Sequence, residues 1–203
     1  MFAGIDVGAR TLHLVVVDAE LRIQRAAVLS ADPLDDVTAL VAGCRVVAID
    51  APEALSSAPH ATDGTAPNPK FRTARCAEIG LGRSFGIWVP WVTPEREPIA
   101  GWMRTGFALF DHLGTTAARV VETYPHGIFR RLAGGPVAPK QTAAGRDQRI
   151  ALLEAAGIRE TGLPMWSHDA IDALAAALLA QRVGTGVATA ATCGHDGSAI
   201  WIP

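Results

Sequence analysis

Three apolar segments of this chain each meet an acid where the hydrophobic run stops or starts. FAGIDVG carries Asp6, VVAIDAP carries Asp50, and SHDAIDALAAALLA opens on Asp169 and Asp172. Carboxylates are the hard oxygen donors that hold Mg2+ or Mn2+ against a phosphate group. Acids at the matching ends of neighbouring parallel strands, about 4.8 Å apart, share one metal or flank a pair. Two carboxylates three residues apart lie on one helix face. The pattern predicts a metal-dependent hydrolase of phosphodiester bonds, with Asp6, Asp50, Asp169 and Asp172 as ligands and two metal ions as the working arrangement.

Each acid also has a plainer use. Asp6 precedes the Gly8 turn and can bond its own backbone. Asp50 precedes Ala51-Pro52, an ordinary strand ending. Asp169 falls in a first helical turn behind Ser167, a natural N-cap, where negative charge is favoured whatever the function. Asp172 lies a turn further in, among Ala, Leu and Ile, and a buried acid there needs a partner.

The elements that must position these acids follow from the pattern. Residues 2–7, 11–17 and 22–29 read as three strands separated by the short breaks Gly8-Ala9-Arg10 and Asp18-Ala19-Glu20, so they pair as antiparallel hairpins. Residues 33–42 read as a crossover helix with Pro33 in its first turn, ending at Gly43. The run CRVVAID (44–50) suits a parallel strand beside the first. A helix at about 97–112 leads to a fifth strand, 118–123, ending at Glu122 and Thr123. Further helices are expected at 145–156 and 168–183, and the tail SAIWIP suits a short final strand. The fold class is α/β, a mixed five-stranded sheet flanked by helices.

The 203 residues are 49% hydrophobic and 19% charged, with mean hydropathy +0.23, enough apolar surface for a real core. The whole chain, 1–203, reads as one domain. No basic leader opens the chain and no apolar run approaches the roughly 20 residues that span a bilayer, so cytoplasmic residence and no membrane partner are expected. Cys44, Cys76 and Cys193 show no CxxC and no spacing of a zinc site, and all three read as reduced thiols. A net charge of −2 excludes a generally basic nucleic-acid binder, so any contact with nucleic acid must be local.

Several further groups are candidates. RTARCAEIGLGR places Arg72, Arg75 and Arg83 near Glu78, and arginines at this spacing suit phosphate contacts or pairing with an acidic site; a solvated helix face is the plainer alternative. The Pro-rich loop 51–71 is long enough to suggest a substrate lid over the Asp50 end. Trp88, Trp91 and Trp102 offer faces on which bases stack, although core packing is the commoner use of tryptophan. His168 stands beside Asp169 as a candidate proton shuttle.

In this order and at these intervals, GIDVG, AIDAP, RTARCAE, VVETYP and HDAIDALAAALLA resemble the uncharacterised family of predicted RNase H-like nucleases, domain of unknown function family 429, over nearly the whole chain. The resemblance implies the RNase H-like fold and a nuclease acting on DNA or RNA with Mg2+ or Mn2+. It also implies that Glu122, in the Glu-x-x-Pro turn of ETYP, joins the catalytic group as a ligand or just behind the ligands; a strand-end carboxylate paired with an Arg is the plainer alternative. His126 departs from the acid that the family leads one to expect there. Two other functions fit parts of the pattern: a non-catalytic RNase H-like binding module, and an actin-like or sugar-kinase-like phosphotransferase, which GIDVGARTLHLVVVD resembles. The latter lacks a second phosphate loop in this sequence.

Overall fold

The computed structural model describes residues 1–30, 34–64, 66–116, 118–159 and 166–203. Its centre is one mixed sheet of seven strands in the order β3-β2-β1-β4-β5-β7-β6. The strands are β1 (Phe2–Val7), β2 (Thr11–Val17), β3 (Ile23–Ser30), β4 (Val46–Asp50), β5 (Arg119–Thr123), β6 (Thr189–Ala191) and β7 (Ile200–Ile202). The first three form the expected antiparallel meander. β4 runs parallel to β1, and β5 parallel to β4. This is the antiparallel meander followed by parallel strands that the sequence predicts.

The sheet has seven strands rather than five. β7 pairs in parallel with β5 through Glu122 and Trp201's neighbours, with Ile200 opposite Glu122 and Trp201 opposite Thr123, and β6 turns back along β7. Three-residue strands carry too few positions for period-two alternation to show, and their pairing partner is far away in sequence.

Among the described residues, six α-helices flank the sheet: α1 (Leu34–Val41), α2 (Cys76–Phe85), α3 (Gly101–Leu113), α4 (Pro125–Ala133), α5 (Ala143–Ala155) and α6 (His168–Gly184). The expected first-turn role of Pro33 lies outside the described residues. α4 went unread although its signals are conventional, with Pro125 in its first turn and Gly134 at φ 65° just past its end.

Alternation along the strands sorts the core into two layers. Ala3, Ile5, Val47 and Ile49 pack with α1 and α3, whereas Phe2, Val46, Ala48 and Val121 pack with α4, α5 and α6. α6 is buried on every side from Ile171 to Ala180, which suits its Ala- and Leu-rich sequence. It lies directly on β1, because Gly4 has no side chain and α6 offers Ala173, Ala176 and Ala177 at the crossing. A Cβ on Gly4 would collide with the α6 backbone at Ala173 and Ala177. Neither element can yield as a side chain would, so Gly4→Ala is expected to cost at least about 3 kcal/mol. Urea denaturation would show it, and an unchanged midpoint would contradict the close helix-on-strand contact.

Two cysteines depart from the expected free thiols. Cys76 and Cys193, 117 residues apart, meet as a disulfide pair, while Cys44 is free and buried.

Candidate metal centre

The parallel pairing of β1 and β4 sets Asp6 directly opposite Asp50. Both continue the face formed by Phe2, Gly4, Val46 and Ala48, so both carboxylates turn toward α6, close enough for each to shift the other's proton affinity. The antiparallel pairing of β1 and β2 adds His13 opposite Asp6 on the same face. Ser167 caps α6 by accepting the Ala170 N–H at 3.2 Å, so the helix begins where its first turn brings Asp169 and Asp172 to the strand ends. Oxygens of Asp6 and Asp169 and a ring nitrogen of His13 lie within 4.8 Å of one another. The structure thus brings Asp6, Asp50, Asp169 and Asp172 together.

One ammonium group enters the cluster. Lys140 Nζ donates to Asp172 Oδ2 at 2.6 Å and to Asp169 Oδ1 at 3.5 Å. His168 Nδ1 lies 2.6 Å from Asp169 Oδ1, so this histidine orients an acid of the cluster.

Burial and mutual repulsion set the proton affinities. Asp6, 6% exposed, is raised from the ordinary 3.8 to about 7, first by burial and then by the charges of Asp172 and Asp169. Asp50 is pushed well upward by burial, Asp6 and Asp172. Asp172 is also raised by burial, with Lys140 pulling the other way. Burial works against the Lys140 charge, but Asp172 outweighs it and strengthens its hold on the proton. Burial lowers His13, which favours the neutral imidazole, and its Nδ1 has no hydrogen-bond partner.

A pH dependence follows for the metal-free protein. The folded state holds the Asp6 proton more tightly than the unfolded chain, so below about pH 4 Asp6 is protonated in both states and contributes nothing. As the pH rises toward about 7, the unfolded chain releases this proton first, and stability falls by on the order of 4 kcal/mol. Above about 7 the loss is complete. Melting curves in a chelator from pH 4 to 8 should therefore show wild-type stability declining relative to Asp6→Asn; parallel curves would contradict the assignment.

Beside Asp50 and Asp172 opens a cleft of about 400 Å³ whose walls include Lys140, Tyr124 and Trp91. Trp91 meets Trp102 and Tyr124 edge to face, with ring centroids 5.3 and 5.1 Å away. Burial, with the charges of Asp50 and Asp172, pushes the Tyr124 phenol up to about 12. Trp88 packs on Phe71 instead and does not line this cleft. A second groove, of about 260 Å³, runs past His13, Trp166 and Ser167.

Glu122 does not join the four aspartates. It stands opposite Ile49, and strand alternation turns it to the other face of the sheet from Asp50. There Arg75 binds it with both ends of the guanidinium, Nη1 to Oε2 at 2.7 Å and Nη2 to Oε1 at 2.6 Å, and the Glu53 N–H adds a bond at 2.9 Å. Arg75 also lies 3.5 Å from Glu78, which accepts from the Thr93 N–H at 3.0 Å and hydroxyl at 2.5 Å.

The three arginines do not form one helical face. Arg75 is buried at the N-cap of α2, Arg72 is exposed in the 3-10 turn Pro69–Thr73, and Arg83 is exposed near the end of α2. The loop expected to act as a lid is tied down at several points: Ser56 donates to Pro94 O at 3.0 Å and to Thr73 O at 2.5 Å, and Glu53 to Glu122.

Sequence reasoning missed two members of the site. His13 was detectable, since counting back through the Gly8-Ala9-Arg10 hairpin places it opposite Asp6. Lys140 had no such signal, because it lies outside any strand or helix and only the packing of α5 brings it to Asp172.

These features define the class: an α/β protein whose mixed sheet carries a carboxylate cluster at the ends of β1 and β4 and the start of α6. Residues 95–195 match the model of the family described as "Protein of unknown function (DUF429)", the family that the sequence resembles. That segment includes Asp169 and Asp172, while Asp6 and Asp50 precede it. No curated protein matches. Among solved structures, the chain is similar to the Thermus thermophilus RuvC structure, with 17% identity over 91% of this chain and 96% of that one and a TM-score of 0.49. No helix among the described residues is long and apolar enough to cross a membrane.

Proposed function

We propose that this protein is a metal-dependent nuclease that hydrolyses phosphodiester bonds of DNA or RNA. The observation that carries this reading is the meeting of four aspartates, from three distant segments, around a single lysine. One ammonium does not neutralise so many carboxylates, and burial, followed by the charges of Asp172 and Asp169, raises Asp6 to about 7. Carboxylate oxygens, with the His13 nitrogen beside those of Asp6 and Asp169, suit Mg2+ or Mn2+ over softer metals. The residues therefore fit the ion, with Asp6, Asp50 and Asp172 as ligands, Asp169 completing the set, and the unpartnered His13 nitrogen beside it.

Bound there, the ions supply Lewis-acid activation of water and neutralisation of the leaving oxygen. The protein's part is positional. The β1–β4 ladder fixes the spacing of Asp6 and Asp50, α6 delivers its two acids from one face, and His168 orients Asp169. Lys140, beside Asp172 on the wall of the cleft, would be placed for a substrate phosphate, and Trp91 would offer an aromatic edge there. Arg75 and Glu122 serve the fold on the far face.

The Lys140–Asp172 pair is the observation favouring the alternative, a non-catalytic binding module whose acids are balanced internally. Calorimetric titration with Mn2+ separates the two readings. The nuclease requires saturable uptake by the wild type, abolished in Asp6→Asn; equal, negligible uptake by both would leave the binding module.

A further inference from the structure

A second constellation lies away from the carboxylates. His60 comes from the loop after β4, Cys76 opens α2, and Cys193 and His195 come from the connection between β6 and β7. One ligand atom from each lies within 4.8 Å of the others. His60 Nε2 is 2.9 Å from Cys193 Sγ, 3.5 Å from Cys76 Sγ and 3.3 Å from His195 Nδ1. A disulfide between Cys76 and Cys193 accounts for the sulfurs but not for the imidazoles. His60 Nδ1 lies 2.6 Å from the Asp63 carboxylate, an acceptor, so the ring proton sits on Nδ1 and Nε2 presents a lone pair. Disulfide sulfurs have no hydrogen to give it, which leaves the long 3.3 Å contact with His195 Nδ1 as the hydrogen bond open to it. The His60 side chain is fully buried, so this nitrogen faces two sulfurs and a second imidazole rather than water.

We infer that the reduced chain holds a structural zinc ion between His60, Cys76, Cys193 and His195. Two thiolates and two imidazoles are a common structural zinc set, and around tetrahedral zinc the ligand atoms stand roughly 3.4 to 3.8 Å apart, which the His60–Cys76 and His60–His195 separations approach. The surroundings are also those of a zinc site. Asp63 backs the metal-facing His60 through its other nitrogen. The His195 N–H donates to Cys76 Sγ at 3.2 Å, which offsets thiolate charge. Binding to the dithiol releases its two protons, and the disulfide is the form that has lost both electrons and the thiolate ligands with them.

The ion would tie two irregular segments to the start of α2, beside Arg75, the residue before Cys76. Sequence spacing hid the site because only Cys193 and His195 are near one another in the chain. Its soft sulfur donors separate it chemically from the aspartate cluster.

The test is the metal content of the full chain purified with a reductant and supplied with zinc, alongside Co2+ substitution. The expected result is about one zinc per chain after dialysis, with a thiolate-to-cobalt charge-transfer band in the near ultraviolet. Cys193→Ser should lose both, His60→Cys should retain both, and Asp6→Asn should leave the band unchanged, since it reports only sulfur ligands. Should Cys193→Ser not fold, wild-type stoichiometry and sulfur-and-nitrogen coordination by X-ray absorption decide. Wild-type protein that holds no zinc under these conditions, or zinc bound without the thiolate band in the cobalt form, overturns the inference.

Discussion

Asp6→Asn and Asp50→Asn are each expected to reduce Mn2+-dependent cleavage of nucleic acid by more than about 100-fold, the upper end of what is lost when only a residue supporting a ligand is changed. Asparagine keeps the shape of aspartate but replaces one ligand oxygen with an amide nitrogen that does not bind a hard cation. The fold should not suffer. Asp6 carries a proton up to about pH 7, and Asn removes the need to bury that charge above it. Lost activity combined with equal or higher thermal stability at neutral pH is therefore the signature of a ligand, whereas a structural aspartate would lose both together. Cleavage by either variant at the wild-type rate would remove these carboxylates from the chemistry.

Arg75→Met is expected to destabilise the protein by about 3–5 kcal/mol. Arg75 is 2% exposed and is the cation serving Glu122, 2% exposed, and Glu78, fully buried. Without it, two carboxylates stay enclosed with only Thr93 and backbone N–H groups to bind them. Burial already raises Glu78 despite Arg75, so the variant should recover part of its loss at acid pH, where both glutamates take up protons. Combining it with Glu122→Gln should cost less than the sum of the single changes, because the glutamine leaves no unpaired charge. Denaturant unfolding of the four proteins measures this coupling. Strict additivity would show that the pair does not act as a unit.

The elements nearest the site were legible because their signals are local. β1 and β2 alternate or run apolar over six and seven residues, the breaks between them are too short for anything but hairpins, and α6 has Ser167 in front of a long Ala- and Leu-rich run. From these the parallel placement of β4 beside β1, and with it the pairing of Asp6 and Asp50, was predictable. Glu122 shows the limit. It stands at a strand end just as Asp50 does, but a shift of one residue in the β4–β5 register turns it through the sheet, and register is set by packing over the whole layer.

The same division runs through the molecule. Composition, alternation and caps are properties of neighbours in the chain, and by themselves they determined the meander, the crossover order, the central helix and the element ends on which the four aspartates fall. Tertiary structure alone decided that Lys140 reaches Asp172, that Arg75 pairs with Glu122, and that His60, Cys76, Cys193 and His195 meet. Those pairings join residues 16 to 135 positions apart, or 32 in the case of Lys140 and Asp172. Their free energy depends on enclosed charges and lone pairs finding partners after the layers have packed, and no spacing along the chain records that.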